Sequence, residues 1–144
     1  MSLIDWNPDK LSVNDETMDE QHQKWVKLIN DLDDSLLSKD KKASPILLVR
    51  EMLAYAEYHF SEEEKLMRDI NYPGHEQHIE LHANFRTKLR VLESEVKEGY
   101  LVRGTQIMKM MKNWLELHIA VDDRHYGEFI ASKSEVKDRS GEAT

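Results

Sequence analysis

The sequence predicts an all-α protein, an up-down-up-down four-helix bundle with an N-terminal arm. Only 5 Gly and 3 Pro occur among 144 residues, and long segments rich in Glu, Lys, Leu and Met favour helix over sheet. Four stretches repeat apolar residues at alternating spacings of three and four, as a helix does on the face it turns toward neighbouring helices. Their similar lengths and short connections favour antiparallel neighbours, and therefore a bundle.

The first elements follow from local signals. Residues 1–17 show little periodicity, so we expect an arm that docks Trp6 onto the body. Helix A is predicted at about 18–38. Helix B is predicted at about 44–69, because Pro45 then falls in the first turn, where its missing N–H costs nothing.

The second half of the chain supplies the other two helices. Helix C follows the turn NYPG and runs to about position 98, and helix D begins after Gly104 and closes with the segment HIAVDD, 118–123. The bundle is therefore expected over 18–131. The polar segment 132–144 is expected to be a mobile tail.

Composition excludes several classes of protein. The formal net charge of −8 disfavours binding to nucleic acid or to anionic lipid. No apolar run approaches the length of a membrane span and the first residues lack the features of a signal peptide, so a cytoplasmic location is expected. The absence of cysteine excludes disulfides, zinc fingers and thiolate-bound clusters. Any metal site must use imidazole and carboxylate ligands.

Each of the four inner stripes contains a histidine. A single histidine on an apolar face is most often satisfied by a backbone carbonyl, but four on converging stripes need a common explanation, because a buried polar group without a partner costs free energy. Measured from the end where helix A meets B and C meets D, all four lie about 23 Å along the bundle, in one layer. These four residues are His22, His59, His82 and His118.

Further ligand candidates lie one helical turn from two of these histidines. His78 shares a face with His82, and Glu63 shares a face with His59, since residues four apart on a helix are neighbours. Helix geometry also allows Glu62, three residues after His59.

A second carboxylate is available at the end of helix D. Asp122 and Asp123 follow His118 by four and five residues, and helix geometry slightly favours Asp122. His75 shares the stripe of helix C but lies about 10 Å beyond the layer, so it is expected near the surface. Its replacement is expected to leave the metal in place.

Five imidazoles with two carboxylates indicate the kind of metal. They are too many for a tetrahedral zinc ion and too rich in nitrogen for magnesium or calcium. Two ions that accept six ligands and share the carboxylates fit this number, and the donor set suits iron, although manganese, cobalt or zinc could bind in vitro. No Glu lies three residues before any histidine, which argues against a ferritin-like, carboxylate-rich site.

Motifs along nearly the whole chain combine into one specific pattern: Trp6 in the arm, DEQH at 19–22, HFSEE at 59–63, YP followed by HIELH at 78–82, and NWLELHIAVDD at 113–123. In this pattern the chain resembles the hemerythrin family, and in particular the single-domain bacteriohemerythrins. The resemblance implies two non-haem iron ions bridged by carboxylates and by an oxo or hydroxo group.

The resemblance also implies a role for each ligand. The implied ligands are His78, His82 and His118 on one iron, His22 and His59 on the other, and Glu63 and Asp123 bridging both. The iron with two imidazoles would keep an open position, where dioxygen would bind reversibly as hydroperoxide. The implied function is oxygen carriage, storage or supply.

Reversible binding would need dry, apolar surroundings on the open side. Spacing selects Trp25, Phe60, Trp114 and Leu115 as candidates, although ordinary core residues would show the same pattern. Members of the family commonly carry a smaller aliphatic residue where this chain has Trp25. The indole could therefore change access to the site or its dryness.

Other functions remain open from the sequence. A di-iron enzyme that reduces peroxide, dioxygen or nitric oxide would need a proton donor, for which only His125 and Tyr126 are candidates, so we expect no enzymatic activity. A sensor of oxygen or redox state usually belongs to a longer chain with an output domain. A metal-free interaction bundle is the remaining alternative. The sequence does not identify a protein partner, and a monomer or weak oligomer is expected.

Overall fold

The computed structural model describes residues 3–37, 45–98 and 104–142, with the side chains of 3–34, 45–98 and 105–133. Within these ranges every regular element is helical, which confirms the predicted all-α class. The boundaries expected at 38 and 44 lie outside the described residues. The elements are α1 (Pro8–Leu11), α2 (Glu16–Leu37), α3 (Pro45–Asp69), α4 (His75–Lys97), α5 (Gly104–Leu117), a π-helical segment (His118–Asp123) and α6 (Arg124–Glu142).

Neighbouring helices run in opposite directions, as the predicted bundle requires. Arg50 of α3 pairs with Glu93 of α4, and Glu57 of α3 pairs with Arg86 of α4. Residue numbers therefore increase along α3 as they decrease along the facing side of α4, so the two helices are antiparallel. The same reversal relates α2 to α3 and α4 to the last helical run, in the ring contacts Trp25–Tyr55, His22–His59, Phe85–Trp114 and His82–His118.

The arm is anchored more deeply by small apolar residues than by its indole. Trp6 is only partly buried against the core, whereas Ile4, Leu11 and Val13 are buried. The backbone N–H of Ile4 donates to the Asn30 side chain, which donates in turn to the Ile4 carbonyl, at 2.9 Å in both cases. Paired hydrogen bonds of this kind fix the arm along α2.

The fourth helix does not end at HIAVDD as the sequence analysis expected. It passes through the π-helical segment and continues as α6 to Glu142, so the expected tail begins inside a helix. No proline follows Asp123 to stop it. The first turns of α6 pack against the arm: a Cβ added at Gly127 would lie 2.7 Å from the Val13 carbonyl oxygen, and Asn14 donates to the Gly127 carbonyl at 3.0 Å.

No helix within the described ranges is long and apolar enough to cross a membrane.

Candidate metal centre

The helices bring all seven predicted ligands into one buried cluster in the interior of the bundle. Each of the seven is at most 3% exposed. One helix, α2, supplies a single residue, α3 and α4 supply two each, and the π-helical segment supplies the last two. The seven are His22, His59, Glu63, His78, His82, His118 and Asp123.

Glu63 lies at the centre of this cluster, with its two oxygens facing different histidines. Oε1 lies 2.9 Å from Nε2 of both His78 and His82. Oε2 lies 3.3 Å from Nε2 of His22 and 3.1 Å from that of His59. A carboxylate placed in this way can bind one metal ion through each oxygen.

Asp123 divides its oxygens along the same line. Oδ1 lies 2.8 Å from Nε2 of His78 and 3.1 Å from Nε2 of His118, whereas Oδ2 lies 3.1 Å from Nε2 of His22. The cluster therefore separates into a three-histidine group and a two-histidine group that share both carboxylates. The three-histidine group is His78, His82 and His118, and the two-histidine group is His22 and His59.

The π-helical segment explains how Asp123 reaches this cluster. In a π-helix the backbone bonds between residues five apart, so a side chain five positions on returns to the same face. His118 and Asp123 are five apart and both point inward. Asp122, which ordinary helix geometry favoured, instead places Oδ2 3.1 Å from the outer nitrogen Nδ1 of His118.

The remaining sequence candidates are not among the seven clustered residues, and one of them, Tyr126, contacts the cluster. Glu62 is exposed, in contrast to the fully buried Glu63. His75 is the first residue of α4 and is only partly buried. His125 is exposed, whereas Tyr126 is fully buried and its hydroxyl donates to Oε2 of Glu63 at 3.0 Å.

Two hydrogen-bond partners of the imidazoles were missed by the sequence analysis. Nδ1 of His59 bonds to Oε1 of Gln21 at 2.8 Å, and Nδ1 of His82 bonds to Oε2 of Glu64 at 3.0 Å. Each contact joins residues on two different helices. The spacing of residues along one helix therefore cannot predict either contact. Gln21 precedes His22 in the motif DEQH, but its partner lies on another helix.

The chemistry of these donors fits a metal cluster. Where Nδ1 carries the proton and donates it to a carboxylate or amide oxygen, Nε2 is left with a bare lone pair. Nε2 of His82 lies 3.1 Å from Nε2 of His118, and both rings have such an Nδ1 partner. Two lone pairs at that distance repel unless a cation or a proton lies between them. The Asp123 oxygens have no hydrogen-bond partner of acceptable geometry among the described residues, which also favours cations there.

Protons can replace cations when the protein is metal-free, as the pKa values indicate. Burial lowers the pKa of these imidazoles, but the carboxylates of Asp123 and Glu63 outweigh it and raise the pKa of His22 and His78 to about 9. The pKa of His118 is raised well above its usual value by the same carboxylates and Asp122, against burial. Burial acts to raise the carboxyl pKa values, yet the imidazoles lower them.

This arrangement predicts how the stability of the metal-free protein depends on pH. Because the pKa values of His22 and His78 rise on folding, their stabilisation is complete below about pH 6.5 and is lost as the pH passes through about 9. The loss is on the order of 3 kcal/mol and is shared between the two imidazoles, because the same two carboxylates raise both pKa values. His59 has a lowered pKa and acts oppositely, but its effect ends near pH 6.5. Urea unfolding from pH 6 to 10 measures this.

The matching variants are His78→Gln, which should reduce the fall in unfolding free energy above pH 6.5, and His125→Gln, which changes an exposed histidine and should preserve it. A metal-free protein whose stability stays constant or rises between pH 6.5 and 9 would contradict the prediction.

Three of the four residues proposed as apolar surroundings place an aromatic ring against an imidazole of the cluster. Phe60 stacks on His82 at 3.8 Å between ring centroids, and Trp114 stacks on His118 at 4.4 Å. Trp25 packs against His59 at 5.4 Å with its rings steeply inclined, and Leu115 is buried. Phe60 and Trp114 therefore contact the three-histidine group most closely. Trp25 is packed against the two-histidine group.

The chain is similar to known proteins over nearly its whole length. Residues 13–130 match the family model described as the hemerythrin HHE cation binding domain. A bacteriohemerythrin of Pseudomonas aeruginosa (strain LESB58) is 31% identical over 142 residues, covering 97% of this chain and 91% of the relative. A myohemerythrin of Theromyzon tessulatum is 29% identical over 111 residues, covering 77% of this chain and 81% of the relative.

Solved structures show the same fold. A crystal structure of wild-type hemerythrin superimposes with a TM-score of 0.79 at 21% identity, covering 88% of this chain and 97% of the other. Its helical architecture agrees with the bundle described above. The family model and the relatives together show that this chain belongs to the hemerythrin HHE cation binding domain family.

Proposed function

We propose that this protein binds dioxygen reversibly at a non-haem di-iron centre and serves in oxygen carriage, storage or supply. The observation that carries the proposal is the unequal division of five buried imidazoles about two shared carboxylates. Membership of the hemerythrin family supports iron as the metal. Imidazole with carboxylate is also a donor set that suits iron.

Each group of residues has a separate task in this proposal. With an oxo or hydroxo bridge as the sixth ligand, the three-histidine group and both carboxylates would fill the positions of one iron. The two-histidine group, with the same carboxylates and bridge, would leave one position open on the other iron. The two ferrous ions would each supply one of the two electrons that dioxygen takes up. Glu63 and Asp123 would hold the two ions together, and the Tyr126 hydroxyl fixes the orientation of Glu63.

The aromatic side chains would exclude water from the open position. Trp25 and Phe60 are at most 1% exposed and lie against the imidazoles of His59 and His82. Exclusion of water favours release of the ligand as dioxygen over loss of a reduced oxygen species. A binding protein needs this reversibility.

The test is the visible spectrum of the anaerobically reduced protein before and after exposure to air, with iron quantified. About two irons per chain are expected, together with a new absorption that disappears when the gas is removed. A protein without iron, or a spectrum that air leaves unchanged, would refute the proposal.

A di-iron enzyme is the alternative, and the structure bears on its need for a proton donor. His125 is exposed and Tyr126 is the only one of the two candidates in contact with the cluster. In the metal-free protein, burial and the nearby carboxylates of Glu63 and Asp123 raise the pKa of Tyr126 well above its usual value. The Tyr126 proton is already donated to Oε2 of Glu63 at 3.0 Å, so the hydroxyl is placed to orient Glu63 rather than to protonate a bound molecule. Steady consumption of a reductant with peroxide, dioxygen or nitric oxide would favour the enzyme.

A further inference from the structure

The outer nitrogens of the cluster histidines have different partners in the two groups. In the three-histidine group, Nδ1 of His82 bonds to the carboxylate of Glu64 at 3.0 Å. Nδ1 of His118 bonds to the carboxylate of Asp122 at 3.1 Å. Two of these three imidazoles therefore have an anionic partner.

The two-histidine group lacks such partners. Nδ1 of His59 bonds to the neutral amide oxygen of Gln21 at 2.8 Å. Nδ1 of His22 is buried and has no hydrogen-bond partner among the described residues. Among the described Nδ1 partners, the carboxylates therefore lie only on the three-histidine side.

The partner of an imidazole changes its strength as a ligand. An Nδ1–H that donates to a carboxylate gives the ring part of the character of an imidazolate, so its Nε2 donates more electron density to a metal ion. An amide oxygen that accepts from Nδ1–H forms a weaker hydrogen bond than a carboxylate does, because charge-assisted hydrogen bonds are about twice as strong as neutral ones. Metal ions in the two groups would therefore differ electronically even with equal numbers of ligands.

Both anionic partners are held in position. Glu64 also forms an ion pair with Arg86 at 3.3 Å. The Arg86 guanidinium in turn lies 5.1 Å from the centroid of the Phe60 ring. Asp122 is fixed by the π-helical segment itself, four residues after His118. The carboxylate side chain of Glu64 is 13% exposed and that of Asp122 is 33% exposed, so water screens each of them only in part.

We propose that Glu64 and Asp122 are positioning residues that make the three-histidine position electron-rich, and that Gln21 leaves the two-histidine position electron-poor and receptive to anionic ligands. This inference rests on the proposed di-iron centre and assigns its electronic asymmetry to three residues outside the ligand set. It does not require that dioxygen binding be reversible.

The experiment uses the iron-loaded protein with two measurements, the reduction potential by spectroelectrochemistry and the affinity of the ferric protein for azide. With each variant reconstituted in excess iron, Glu64→Gln and Asp122→Asn are expected to raise the reduction potential of the iron they bind, because a negative charge near the ferric ion is removed. The matched control is Glu62→Gln, which removes an exposed carboxylate from the same helix as Glu64.

The reciprocal change is Gln21→Glu, which places an anionic partner on the two-histidine side. It is expected to weaken azide binding by about tenfold, since the position becomes electron-rich and an anion is placed near an anionic ligand. The control is Gln23→Glu, an exposed position two residues away on α2.

The outcomes separate this inference from the proposed function. Reduction potentials of Glu64→Gln and Asp122→Asn equal to that of Glu62→Gln would overturn the inference, as would equal azide affinities of Gln21→Glu and Gln23→Glu. These variants could also lose iron while the iron they retain keeps its reduction potential and azide affinity. That result would assign the residues a structural role only, and would likewise overturn the inference. Absence of iron from the unchanged protein would refute the proposed function instead.

Discussion

Replacing Glu63 with alanine is expected to abolish the paired metal centre. Glu63 is the one side chain of α3 whose two oxygens face both groups, at 2.9 Å from His82 and 3.1 Å from His59. Its removal would take one ligand from each of the two proposed metal positions at once, and would leave Asp123 as the one carboxylate shared by the five imidazoles of the cluster. We expect iron affinity to fall by more than the roughly 100-fold that can follow loss of a partner outside the ligand set. Iron per chain after anaerobic reconstitution measures this.

The neighbouring Glu62 provides the matched control. It has the same charge and lies one position away on α3, but it is exposed. Glu62→Ala is therefore expected to retain the full iron content. Equal iron in the two variants would contradict the assignment of Glu63 as the bridge and reopen the alternative that helix geometry left at this position.

Two histidines near the start of α4 allow the same comparison. His78→Ala is expected to lose iron, because Nε2 of His78 lies 2.8 Å from Asp123 and 2.9 Å from Glu63. His75→Ala is expected to leave iron intact, since His75 lies in the first turn and outside the buried cluster. Loss of iron from both variants would mean that His75 has a role at the site.

The bundle could be predicted from the sequence because its helices carry the 3.6-residue period and are separated by turn signals. Pro45 and the NYPG turn mark helix boundaries in ways that depend on backbone chemistry alone, and the structure places α3 and α4 there. The end of the fourth helix could not be placed in the same way. No proline follows Asp123 to mark an end, and the close approach of Gly127 to Val13 joins residues far apart in sequence, which helix periodicity does not report.

In the candidate site too, some residues could be predicted from local spacing and others could not. Residues four apart, such as His59 and Glu63, share a face in any α-helix, so spacing could select them. The choice between Asp122 and Asp123 depends on whether the backbone bonds to the fourth or the fifth residue, and helix periodicity alone cannot settle that. The resemblance to the family selected Asp123, and the π-helical segment gives the physical reason.

Replacing Trp25 with leucine is expected to make the reduced centre oxidise irreversibly in air about tenfold faster, a change equivalent to about 1.4 kcal/mol in the barrier. Trp25 is 1% exposed and packs against His59, Phe60 and Trp114, with ring centroids 5.4, 5.7 and 6.1 Å away. A smaller side chain leaves space beside the two-histidine group, where water can approach the position that we propose for dioxygen. The rate is measured from the decay of the air-dependent absorption.

Two controls separate exclusion of water from loss of stability. Trp25→Phe keeps an aromatic ring in contact with His59 and should oxidise more slowly than Trp25→Leu. Urea unfolding should show both variants folded, although a large-to-small change in a core can cost several kcal/mol, up to about 5. If Trp25→Leu oxidises no faster than the unchanged protein, the indole does not exclude water. Its bulk would then act as a restriction on access, which faster binding of dioxygen to Trp25→Leu would reveal.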